Sequence, residues 1–138
     1  MKYLKLCTVF IFICLLSCKT NKKINGLRHG KWISYDTIDK VAYKFVEFYK
    51  KGNEVRTWKT FKNNKKYKKE KYLFTISLIT YYHDNGEIAL KGHSKLVEVE
   101  NDIHWFYFGD WSVYDENGKL IKIKKYENGE LISEIEIE

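Results

Sequence analysis

The chain has 138 residues, 25 Lys and Arg against 18 Asp and Glu, a formal net charge of +7 and no proline. That length suits one domain, and 17% aromatic residues exclude a disordered polyelectrolyte, which would be too poor in rings to build a core. Three cysteines are too few for a scaffold built on disulfides.

At the amino terminus Lys2 and Lys5 precede an apolar run over residues 6–16, followed by Ser17 and Cys18. Such a run rises only about 16 Å as a helix, roughly half a bilayer core, so it reads as a secretory signal rather than a permanent span. Leu15-Leu16-Ser17-Cys18 resembles the bacterial lipobox, which implies cleavage before Cys18, lipidation of its thiol and anchoring of the exported protein to a membrane of the cell envelope. Residues 1–17 are then the signal peptide, 18–25 a flexible polar tether and 26–138 the folded domain. Cys7 and Cys14 leave with the signal and Cys18 is acylated, so packing alone must stabilise the domain.

Beyond the tether the apolar residues alternate with period two, and strands are predicted over 31–36, 41–49 and 54–62. The lysine run that follows (Lys62, Lys65, Lys66, Lys68, Lys69 and Lys71) reads as a solvated turn guarding strand edges, or else as a surface for anionic glycans or lipid head groups. Residues 72–78 alternate again, with Tyr72, Phe74, Ile76 and Leu78 on one face and Thr75 and Ser77 on the other. Further strands are predicted over 87–99, 103–114, 119–126 and 130–137, the last a glutamate-rich edge. Asn85-Gly86, Asn117-Gly118 and Asn128-Gly129 predict type I′ hairpin turns, and no helix is required in the mature chain.

Charge divides along the chain, with 17 basic and 5 acidic residues over 19–71 and 6 basic and 13 acidic over 72–138. Export argues against nucleic acid as the partner of the basic half. None of His29, His83, His93 and His104 stands at i, i+2 or i, i+4 from another, so no metal site is expected. Glu98, Glu100 and Asp102 alternate onto one strand face, which suits solvent better than catalysis. With no nucleophile elbow, P-loop or dinucleotide fingerprint, neither an enzyme nor a cofactor is expected.

Self-similarity is the most informative feature. Gly30-Lys31-Trp32-Ile33-Ser34-Tyr35 and Gly109-Asp110-Trp111-Ser112-Val113-Tyr114 both read G-x-W-x-x-Y. The unit Y-x-x-N-G-x-apolar recurs at residues 82–88 and 114–120, with a shortened copy at 126–131, so Gly86, Gly118 and Gly129 join Gly30, Trp32, Tyr35, Gly109, Trp111 and Tyr114 as repeat positions. These phrases, with Asn25-Gly26-Leu27-Arg28-His29-Gly30-Lys31-Trp32, resemble the MORN-repeat family and its bacterial antitoxin-type variant. The resemblance implies an open antiparallel meander of β-hairpins that binds or scaffolds other molecules, with toxin neutralisation a role of some members. Repeat stacking makes Trp32 and Trp111 packing residues. Trp105 and Tyr107 fall outside the phrase and, with Lys65, Lys66, Lys68 and Lys69, are the candidate partner-binding residues. The partner is expected to be a protein, with an envelope glycan or anionic lipid as the alternative.

The lipobox makes a direct prediction. Cells fed a labelled fatty acid are expected to label the wild-type chain, and to leave Cys18→Ser unlabelled and outside the membrane fraction. Equal labelling of both contradicts the reading.

Overall fold

The computed structural model describes residues 19–100 and 102–138, so the signal and Cys18 lie outside the described residues. The chain forms one antiparallel sheet of eleven strands: β1 (Lys22–Ile24), β2 (Leu27–Ile38), β3 (Val41–Lys50), β4 (Asn53–Glu54), β5 (Arg56–Lys62), β6 (Lys65–Leu73), β7 (Ile76–Tyr82), β8 (Ile88–Val99), β9 (Asp102–Tyr114), β10 (Leu120–Glu127) and β11 (Glu130–Glu136). Neighbours in sequence are neighbours in the sheet, except that the two-residue β4 lies off the path, against β3. The described residues form an all-β meander without helix, the architecture that period-two patterning predicts.

Three sequence expectations are corrected. The tether gives way at Lys22 to β1, and Asn21 clasps β2 by donating from Nδ2 to the Ile33 carbonyl and accepting from the Ile33 amide. The lysine run is a strand, because Tyr67 and Tyr72 supply β6 with rings while the lysine stems cover apolar surface and keep their ammonium groups in water. Residues 72–78 are two strands, since the chain reverses at Phe74-Thr75 and Leu73 pairs with Ile76. Tyr72 and Ser77 therefore share one face, and Ile76 and Leu78 occupy the other.

The turns also differ in kind. Asn128-Gly129 has positive φ at both residues (48° and 88°), as a type I′ turn requires. Asp39-Lys40 and Asn63-Asn64 do the same without glycine. At Asn85-Gly86 and Asn117-Gly118 only the glycine is left-handed, and the turns are three-residue loops. The amide of Gly118 donates to the Asp115 carbonyl, and Asp115 Oδ1 accepts from the Asn117 and Lys119 amides, a local bonding pattern that selects the longer loop.

A single sheet has no second layer to pack against. Tyr49, Ile79 and Trp111 are the buried apolar side chains, and Ser77 and Ser94 are buried beside them, joined hydroxyl to hydroxyl at 2.7 Å. The rest of the packing is lateral. One row of rings runs across the strands through Trp32, Tyr49, Trp58, Tyr72 and Trp105, with successive centroids 4.9–6.3 Å apart. A second row runs from Tyr43 through Tyr67 to Tyr81, whose hydroxyl meets that of Tyr107 at 3.0 Å, and on to Trp111 and Tyr126. Such ring pairs contribute about 0.5–1.5 kcal/mol each beyond the area they bury.

Trp111 is fully buried because Gly92 leaves room for it. A Cβ at Gly92 would stand 2.1 Å from the indole ring. Gly92→Ala is therefore expected to cost about 1–3 kcal/mol or more by overpacking, yet less than about 0.5 kcal/mol in a Trp111→Ala background, as denaturant titration of the four variants would measure. Equal cost in both backgrounds contradicts the contact.

Burial also raises the phenol pKa values of Tyr72, Tyr81 and Tyr107. An acid whose folded pKa is raised stabilises fully below its unfolded value near 10 and loses that contribution as pH rises above it. The melting temperature is expected to hold below that value and fall above it. Stability that stays flat through the tyrosine range contradicts this packing.

Candidate functional site

Cross-strand partners share a face, so the register divides the side chains of the sheet into two sets. The ladder face carries both rows of rings and the buried serines. Across β2–β8 it also carries every strand acid: Asp36, Glu47, Glu54, Glu70 and Glu98. Two of its cations are paired with those acids, while Lys62 lies over the Tyr67 ring. Arg28 Nη1 lies 3.5 Å from Glu47 and donates to the Tyr49 hydroxyl at 2.7 Å, and Lys68 Nζ lies 2.9 Å from Glu70. Burial and the hydrogen bond to Glu47, opposed by Arg28, push the Tyr49 phenol up to about 12.

The opposite face is basic. Lys59, Lys69, Thr80 and Lys91 stand side by side on consecutive strands, with Lys44, Lys66 and Lys71 in the flanking rows and Lys95 one row beyond Lys71. Among the described residues of β2–β8 this face bears no acid, and none of these lysines is in an ion pair. Four of them instead lie over rings: Lys44 over Tyr35 and Phe61, Lys66 over Tyr82 at 3.7 Å, Lys91 over Tyr114 and Lys95 over Phe108. The hydrogen bond from Lys91 holds the Tyr114 phenol below its usual range. The charge division read along the sequence is, across these strands, a division between faces.

A third feature sits where β5, β6 and β7 meet at one end of the sheet. Phe74 is fully exposed at the turn, with Leu73 and Ile76 exposed beside it. Behind them an open cavity of about 610 Å³ is lined by Val55, Tyr72, Leu96 and Trp105, with Lys50, Glu54 and Arg56 as its charged residues. Phe74 and Arg56 both hold left-handed backbone, with φ of 54° and 63°, a conformation that costs an L-residue about 1–2 kcal/mol. An apolar, strained tip beside an apolar cavity is the arrangement found at ligand clamps.

The residues singled out by sequence fall into this frame separately. Trp105 is half-buried, ends the first ring row against Tyr72 at 5.3 Å and lines the cavity. Tyr107 is half-buried, stacks on Trp111 at 4.1 Å and bonds Tyr81. Lys65 lies 3.8 Å from Asp84, Lys68 pairs with Glu70 on the ladder face, and Lys66 and Lys69 lie on the basic face, so the four form no single patch. Trp32 packs on Tyr49, whereas Tyr35 is 72% exposed on the other face. Glu98 and Asp102 sit on opposite faces, because the hairpin turn falls between them. His83 Nε2 bonds the Tyr114 carbonyl, and His104 lies 3.4 Å from Asp102. Sequence reasoning missed Phe74, Arg56, Lys59, Lys91 and Gly92. Parity along β5, β6 and β8 would have found Lys59 and Lys91 once β6 was taken as a strand. Nothing in the local sequence marks Phe74 as a turn residue. Comparison of the chain with family models, curated proteins and solved structures finds no match.

Proposed function

We propose that this is a non-enzymatic lipoprotein of the cell envelope, anchored to a membrane at Cys18, whose β-repeat domain binds a protein partner through its Phe74 end. The supporting observation is the fully exposed, left-handed Phe74 beside the Trp105 cavity. A phenylalanine there costs backbone strain and solvent-exposed apolar area at once, and neither cost is offset inside the domain. A partner that covers Phe74, Leu73 and Ile76 and fills the cavity would recover the apolar term. Trp105 and Tyr72 in its lining are the rigid aromatic surface on which interface energy concentrates. Lys50 and Arg56 outnumber Glu54 around the cavity, a balance that favours an apolar partner segment flanked by acidic residues. Toxin neutralisation would be one instance of such binding.

Phe74→Gly separates binding from folding. Glycine accepts the positive φ without strain, so the variant is expected to be as stable as wild type or more stable by about 1 kcal/mol. It is also expected to lose capture of the protein that wild type retains from detergent-solubilised envelope. Undiminished capture contradicts the proposal, and a loss of stability contradicts the turn on which it rests.

A further inference from the structure

We propose that the basic face is a second binding surface, distinct from the Phe74 end, and that it takes a linear polyanionic glycan lying across the strands. Lys59 stands directly opposite Lys69, a like-charge pairing that weakens a sheet, and the next lysine in that row is Lys91, with only Thr80 between. Among the described residues none of the three has an acidic partner, although five acids are present in β2–β8. All five are on the ladder face. The domain thus keeps a self-repelling row on one side while its neutralising charges sit on the other, and an external anion is what relieves it.

The shape of the row limits which anion fits. The basic positions extend from Lys31 on β2 to Lys91 and Lys95 on β8, about 24 Å at the usual strand spacing, which is more than a small ligand covers. Adjacent strands rotate by about 20–25°, so the surface turns through more than about 100° over that width. A flat bilayer can meet only part of such a surface, whereas a flexible chain can follow the twist. The cations are lysines, point charges without the fork geometry that arginine uses for bidentate phosphate recognition. The ring faces that would stack on unpaired bases are already taken by Lys44, Lys66, Lys91 and Lys95. Diffuse, spaced contact with carboxylate or phosphate groups along a sugar or polyol backbone is the chemistry that remains.

Full-length protein in detergent, titrated with a polygalacturonate oligomer long enough to cross the face, tests the proposal. Binding is expected, weakening about tenfold or more between 50 and 200 mM salt as counterions are displaced. Lys59→Glu is expected to weaken it about tenfold while raising the melting temperature, because the introduced carboxylate would face Lys69 as an opposite-charge pair. A purely structural role for Lys59 cannot move the two readouts in these opposed directions. Lys91→Gln, which creates no pair, is expected to weaken binding with no rise in melting temperature. Lys23→Glu, the same change of net charge on β1, is expected to leave affinity within about twofold. The proposal is overturned if the oligomer does not bind, or if Lys23→Glu weakens it as much as Lys59→Glu. It is equally overturned if phosphatidylglycerol vesicles or single-stranded DNA, rather than the oligomer, show the dependence on Lys59.

Discussion

Everything in this molecule follows from having one layer. A sheet that packs against a helix or a second sheet hides a whole face, and its strands need only alternate apolar and polar residues. Here apolar area is removed from water sideways, each ring covering the next ring in its row. Large flat side chains are the efficient solution, because a ring reaches across the spacing between strands where a leucine would leave water between itself and its neighbour. This explains why the packing of the sheet is carried by Trp and Tyr while the strictly buried apolar set is small. It also explains the buried serines: where the ladder face is most crowded, between Tyr72 and Tyr107, only a small side chain fits on each strand, and its hydroxyl finds a partner in the other.

Lateral packing constrains the backbone in turn. Trp111 lies flat only because Gly92 on the neighbouring strand has no side chain, so one glycine that no repeat phrase contains is as important as those that recur. The buried indole N–H groups of Trp32 and Trp111 have no acceptor among the described residues, a cost of about 1–3 kcal/mol each that ring burial has to exceed. Trp58 avoids it by donating to the Phe48 carbonyl at 2.9 Å. The two tryptophans of the recurring G-x-W phrase thus share an environment that the non-phrase Trp58 does not.

How legible the molecule is in its sequence depends on which physical signal each part uses. Strand identity is readable for β2, β3 and β5 and for β8–β11, because period-two alternation is a local property. β6 is hidden: its lysines are the composition of a solvated loop, and only pairing with β5 and β7 makes them strand residues. The reversal at Phe74-Thr75 is hidden for the opposite reason, since its residues look like an unbroken strand and a bulky ring there adopts positive φ against its own preference. Losing that one turn inverts the parity of everything through Leu78. In the sequence, the basic face consequently reads as a basic half of the chain. The two proposed binding surfaces lie where local rules fail, at Phe74 and along the unpaired lysine row, as expected of sites whose cost is recovered by a partner.

The most direct test of the lateral-packing account is a double-mutant cycle on Trp58 and Tyr72, adjacent rungs at 4.9 Å near the middle of the first ring row. Denaturant unfolding of Trp58→Leu, Tyr72→Leu and the double variant would yield their coupling. If neighbouring rings replace a conventional core, the two costs are non-additive, with a coupling of about 0.5–1.5 kcal/mol. Additive costs would contradict the account, because each ring would then be stabilised independently of the one beside it.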